Sequence, residues 1–228
     1  MGTALASALE NAGVEVSGPL GRDDTAEGAA IVLLCVPDRE IPAASAIIAP
    51  GPLVGHVSAS APLELLAPHE RFSMHPLLSV VGVGAPFVGA YCAIEASSAA
   101  ALGVALALAD RLGMRATVIP AEQRALYHAA ASAASNFLIT LEGAAERLAQ
   151  IVGLERAALV PLVRASVDNW ARQGARAALT GPIARGDLIT VTRQREAVSE
   201  AAPDLLPLWD ALAEATRDLA RPPATDAA

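Results

Sequence analysis

Short apolar runs alternate with amphipathic stretches along the first half of the chain. Residues 3–12 (TALASALENA) have helical spacing and stop at Gly13, a residue suited to the positive φ that often follows a helix. Residues 14–17 predict a short strand, and Gly18-Pro19-Leu20-Gly21 a loop. Residues 30–36 (AIVLLCV) are continuously apolar, as expected of a strand covered on both faces, and Pro37-Asp38 ends them. A short helix is predicted over 41–49, a buried strand over 53–57, and one or two helical turns over 62–67. Strands follow at 72–74 and 91–94, then an Ala/Leu helix over 97–112 with Gly113 as its stop, then a last strand over 115–119.

After Pro120 the period changes. Helical spacing runs through 121–152, pauses at Gly153, and resumes over 155–173. A Gly/Pro-bearing loop at 178–186 precedes helices over 188–201 and 205–219. The alternation of strand and helix up to Pro120 is the pattern of a doubly wound parallel α/β sheet, and the half that follows is all-helical. The expected domains are therefore 1–119 and 120–220, with a polar tail over 221–228.

Composition narrows the chemistry. Hydrophobic residues make up 54% of the chain but aromatics only 3%, so the cores must be built from Ala, Leu and Val. The net charge of -8, with no Lys/Arg cluster, argues against a nucleic-acid partner. All 16 basic residues are arginines, so neither a Schiff-base lysine nor a lysine general acid is available. Cys35 and Cys92 each sit in an apolar run and are expected as buried free thiols in a reducing, cytoplasmic compartment. No CxxC and no His pair at ligand spacing predicts a metal site. The longest apolar stretch, 99–109, is too short to span a bilayer, and the first residues lack signal-peptide features, so no membrane partner is expected.

Five segments carry a resemblance: AIVLLCVPDREI, GHVSASAP, FSMHPLLSV, YHAAASAASNFLITLE and LTGPIARGD. Together they resemble a bacterial family that joins a Rossmann-like domain to a conserved C-terminal helical domain of unknown function. That family looks related to ketopantoate reductase, prephenate dehydrogenase and the β-hydroxyacid dehydrogenases. The resemblance implies an NAD(P)-dependent oxidoreductase that reduces a small 2-oxo or related carboxylic acid, ketopantoate-like in character. It also implies a homodimer formed through the helical domain. A non-catalytic nucleotide-binding or sensor protein, or a purely structural dimer, is the alternative.

The resemblance also distributes roles. Met1-Gly2-Thr3-Ala4-Leu5 is similar to the end of a glycine turn of the type G-x-G-R-M-G-T-A-L, with Gly2 as its third glycine. It implies an upstream first strand, central in such a sheet, whose loss would leave a slot between neighbours. Gly2 and Thr3 would then meet the cofactor, as would Val36 and Pro37 at the end of the apolar run 30–36. Arg22 is placed to meet a ribose 2′-phosphate, which favours NADP, with NAD possible.

HVSASAP resembles the substrate stretch of β-hydroxyacid dehydrogenases. Ser58 falls on the family serine, while Ser60 is equally well read as a helix N-cap. His75 matches the His-Pro of prephenate dehydrogenase, with a side chain able to exchange protons near neutrality. His128, Ser132 and Asn136, spaced i, i+4 and i+8, form a polar stripe on an alanine-rich helix. Ser132 and Asn136 occupy the places of a Lys-x-x-x-Asn motif, so Asn136 can orient a substrate but Ser132 cannot replace the lysine. The proton that accompanies the hydride must then come from His75, His128 or water. Arg185 is a candidate clamp for a substrate carboxylate, and Asp187 an N-cap for the next helix.

Overall fold

The computed structural model describes residues 1–80 and 84–222, so most of the predicted tail lies outside the described residues. The chain forms two compact units, Met1–Asn136 and Phe137–Ala228. The first holds a five-stranded sheet in the order β1-β2-β3-β4-β5. These strands are β1 (Ile31–Leu34), β2 (Leu53–His56), β3 (Arg71–Pro76), β4 (Tyr91–Ala96) and β5 (Arg115–Val118). The Rossmann-like sheet followed by a helical region is the predicted architecture.

Three details depart from the sequence pattern. β1, β2 and β3 are mutually parallel, as are β4 and β5, but β3 and β4 pair antiparallel. Side-chain alternation has the same period in either direction, so the pattern carries no information about the reversal. Residues 14–17 form no strand; Val14 and Val16 pack instead against the core. The expected slot is not seen either. The five strands are contiguous, with β1 at one edge of the sheet.

One sheet face is covered by α1 (Gly2–Asn11) and α3 (Ala99–Arg111). Phe72, Met74, Cys92 and Ile94 from β3 and β4 meet Leu5, Leu9, Ala105 and Leu108 there in one buried cluster. Ser98 caps α3 by accepting a hydrogen bond from the Ala101 amide at 3.0 Å. The opposite face carries a smaller cluster in which Leu34 and Val54 pack with Ile41 of α2 (Ile41–Ala46), Leu63 and Leu66.

The predicted helix over 121–152 is a composite. A 3-10 turn (Ala121–Gln123) leads into α4 (Arg124–Ser132), then a π turn (Ala133–Phe137), then α5 (Leu138–Ile151). The division between the two units falls within this run, so α4 belongs with the sheet. The second unit continues with α6 (Arg156–Gln173), α7 (Ala175–Ala178), α8 (Leu188–Ala201) and α9 (Leu206–Ala220). As predicted, Asp187 caps α8, accepting from the Thr190 amide at 3.0 Å.

Gly55 shows how tightly β2 and β3 are fitted. A Cβ on Gly55 would lie 2.5 Å from ring carbons of Phe72, itself fully buried. Gly55→Ala should therefore lower unfolding free energy by about 1–3 kcal/mol through overpacking. Urea unfolding checks this, and adding Phe72→Leu to the alanine variant should return part of the loss. Equal midpoints for wild type and Gly55→Ala would show that the ring yields without cost.

Candidate active site

Because β1, β2 and β3 run in one direction, their carboxyl ends share one rim of the sheet, where ligands of open α/β sheets bind. Asp38 follows β1, Ser58 and Ser60 follow β2, and His75 closes β3. The Asp38 carboxylate accepts from the Ser58 hydroxyl at 2.8 Å and the Ser60 hydroxyl at 2.9 Å. Ser58 Oγ in turn accepts from the amides of Ser60 and Ala61 at 3.1 and 2.9 Å. Ser58, not Ser60, is thus the residue that satisfies the backbone of the next turn. Its hydroxyl hydrogen is already given to Asp38.

The reversal between β3 and β4 explains how α4 reaches this rim. β5 runs with β4, so it ends at the opposite rim, and the chain must turn back across the sheet. Arg124, at the start of α4, contacts Glu95 of β4, with Nη1 3.4 Å from Oε2. Its Nη2 donates to the Ser58 carbonyl at 2.9 Å. Three residues on, the Tyr127 hydroxyl lies 2.7 Å from His75 Nδ1, with the two rings edge to face at 84°. His128 is on the same helical face, four residues from Arg124.

Burial and charge set the protonation states. His75 is held down to about 4, first by burial, then by His128 and Arg124, while Asp38 acts in the opposite direction. His56 is also lowered to about 4 by burial and then Arg124. The Ser58 amide donates to His56 Nδ1 at 3.2 Å, which puts the proton of its neutral ring on Nε2. Burial raises Tyr127 to about 12 and raises Glu95, whose neighbour Arg124 opposes the rise. Around neutrality the His75–Tyr127 pair is therefore uncharged and shares a hydrogen bond. Among the described residues, His56 Nε2, Ser73 Oγ and the Nε and Nη1 of Arg124 are buried without hydrogen-bond partners.

His75 and His128 are thus brought together with Tyr127, Arg124 and the Asp38–Ser58 loop pair. Ser132 is half-buried, and Asn136 sits exposed in the π turn, whose wider pitch interrupts the even i, i+4, i+8 stripe. The Ser135 hydroxyl lies 2.8 Å from both the Ala131 carbonyl and Asn136 Oδ1. Arg22 is exposed and paired with Glu40 at 3.0 Å. Arg185 is exposed, ahead of α8 in the second unit. Pro37 is exposed and leads into the turn Asp38–Glu40, while Val36 packs against the smaller core cluster.

At Gly2 the first turn of α1 approaches the end of β1 so closely that a Cβ would lie 3.1 Å from Cys35 Cβ. That closeness is the packing role of the third glycine in a dinucleotide turn. The N-terminus of α1 has no side-chain cap, so its first amides, Thr3 included, remain available as donors. The residues present fit the helix half of a pyrophosphate cradle.

The site missed by sequence pattern is Tyr127 with Arg124, Asp38 and His56. The available signal was the i, i+3, i+4 spacing of Arg124, Tyr127 and His128, which marks a face one residue round from the stripe chosen.

The two depressed histidines carry a stability signature. Their folded values near 4 lie below the ordinary 6.5, so the unfolded chain binds protons the native chain refuses once pH falls below about 6.5. Stability is complete above that value and is lost down to about pH 4, by on the order of 2–3 kcal/mol for each histidine. The urea midpoint should accordingly drop between pH 7.5 and pH 5, and His75→Gln should shrink the drop by about half. A midpoint that does not move over that range would contradict the burial of neutral imidazoles.

The fold is shared with proteins of known structure. A Bacteroides fragilis protein to which NADP oxidoreductase activity is attributed superposes with a TM-score of 0.81 at 20% identity, covering 95% of this chain and 93% of that one. A Thermotoga maritima protein gives 0.78 at 25% identity, covering 86% and 81%. The Plasmodium falciparum pyrroline carboxylate reductase with NADP bound gives 0.56 at 11% identity, covering 96% and 94%. No curated protein matches the chain in sequence. The family described as "Domain of unknown function (DUF2520)" matches residues 90–216, more than half of the chain. The chain belongs to that family.

Proposed function

We propose that the protein is an NAD(P)-dependent oxidoreductase that reduces the carbonyl of a small 2-oxo or related carboxylic acid, with His75 and Tyr127 handling the proton. The observation that carries this reading is the 2.7 Å contact between His75 Nδ1 and the Tyr127 hydroxyl at the ligand-binding rim. In a chain with no lysine, this pair is a built proton donor beside the loops where a dinucleotide would lie. The fold likeness to NADP oxidoreductases points the same way.

In this reading the amides of Gly2 and Thr3 hold the pyrophosphate, Val36 and Pro37 line the ribose, and Arg22 favours the 2′-phosphate of NADP. When bound, the nicotinamide supplies a hydride. Tyr127 and His75 supply the hydrogen that completes the alcohol, and the hydrogen bond between them lets either refill the other from solvent. His128 is a second candidate for the proton, and Asn136 and Ser132 are substrate contacts. Ser58 serves as scaffold, since its hydroxyl hydrogen already belongs to Asp38.

NADPH oxidation with a panel of 2-oxo acids tests the reading. Turnover should appear with at least one acid, and Tyr127→Phe should lower kcat by about 10²–10⁴ while leaving KM for the cofactor within a few-fold. Thermal stabilisation by NADPH without any consumption would favour a nucleotide sensor instead.

We further propose that the protein works as a homodimer joined through its helical unit. α6 is 18 residues long yet buries none of them, and Leu162 and Trp170 are left 66% and 57% exposed. Apolar surface of this kind marks an interface. Light scattering should give twice the chain mass, and Trp170→Glu should halve it; a wild-type monomer at micromolar concentration would remove the proposal.

A further inference from the structure

α4 buries one side chain, and that side chain is charged. Arg124 is 4% exposed, whereas Leu126 on the same helix is 77% exposed. Apolar packing therefore does little to fix the height or rotation of α4 on the sheet. The polar contacts must do so. A slip of one residue would move Tyr127 by about 1.5 Å and turn it by about 100°, enough to break its bond to His75.

Arg124 meets two other elements at once: the Ser58 carbonyl in the loop after β2, and Glu95 on β4. Fixing it fixes the residues three and four positions on, which are Tyr127 and His128. We propose that Arg124 is the positioning residue of the His75–Tyr127 pair, a two-point guanidinium anchor that sets α4 in register against β2 and β4. The inference deepens the reductase reading and rests on it for the use of the pair in catalysis.

The anchor also acts through its charge. The charged and titratable groups facing His75 are Asp38 from the loop after β1 and Arg124, Tyr127 and His128 from α4, with Glu95 of β4 beside Arg124. Burial, His128 and Arg124 resist protonation of His75, and Asp38 favours it. Removing the guanidinium thus changes the titration of a residue it does not touch, which removing an uncharged side chain would not do.

The test uses the full chain with Arg124→Met and Arg124→Lys, followed by histidine ring NMR, with His75→Gln to assign the resonance. In Arg124→Met the His75 midpoint should rise above about 4, and the Nδ1 shift that reports its hydrogen bond should move to that of a free ring. Arg124→Lys keeps the charge but cannot span both anchors. Its midpoint should stay low while the Nδ1 hydrogen bond is lost. A folded Arg124→Met with wild-type midpoint and wild-type Nδ1 shift would overturn the proposal. Should Arg124→Met fail to fold, Arg124→Lys decides alone, and a retained Nδ1 hydrogen bond there overturns it. A wild type that reduces no carbonyl would remove the reductase reading while leaving both NMR readouts to judge Arg124.

Discussion

A guanidinium ion taken out of water must be met by oxygen, and the rim at the carboxyl ends of β1, β2 and β3 is arranged around that requirement at Arg124. One of its nitrogens is met by a backbone carbonyl, that of Ser58, and another faces the carboxylate of Glu95. The carbonyl is available because Ser58 is itself held, its hydroxyl spent on Asp38 and its oxygen on two amides. A continuous polar line therefore runs from the end of β1 to the end of β2, through α4, and back to β3 at His75. Cutting the link to the Ser58 carbonyl leaves the buried guanidinium without its hydrogen-bonded oxygen, which is costlier than never having made the contact.

Much of the fold could be read from period alone. The mostly apolar runs 30–36 and 53–57 contain the strands Ile31–Leu34 and Leu53–His56, and the change to helical spacing after Pro120 marks where strands cease among the described residues. Direction could not be read, because side-chain alternation is the same in the antiparallel pair β3 and β4 as in the parallel pairs. Residues 14–17 have the composition of a strand but no paired neighbour, and composition without pairing does not make one. At the site, His75 was legible through the His-Pro it shares with prephenate dehydrogenase, and His128 through its place in a polar stripe on an alanine-rich helix. Tyr127 was not, since a tyrosine beside alanines reads as core material, and Arg124 was not, since an arginine in a first turn usually faces water. Only the neighbouring strands reveal that this one does not.

The two units are held together internally by different means. The sheet unit has a contiguous buried core of Leu, Ile, Phe, Met and Ala side chains. In the helical unit few side chains are buried, and its helices are tied by arginine–carboxylate forks: Arg147 with Asp204, Arg156 with Glu146, and Arg195 with Asp210. These forks are solvent-exposed, and exposed ion pairs contribute little each, of the order of 0–1 kcal/mol. They specify which helix lies beside which more than they stabilise the unit.

The shared hydrogen at His75 and Tyr127 has a physiological corollary. One member gains a proton only near pH 4 and the other loses one only near 12. Between those limits the pair has a single protonic composition. A drift of one unit in the acidity of the surroundings alters the supply of hydrogen ions around this site but not the state of the site itself. Such indifference is what separates a buried neutral imidazole from the solvent-tuned histidines that act as sensors of acidity.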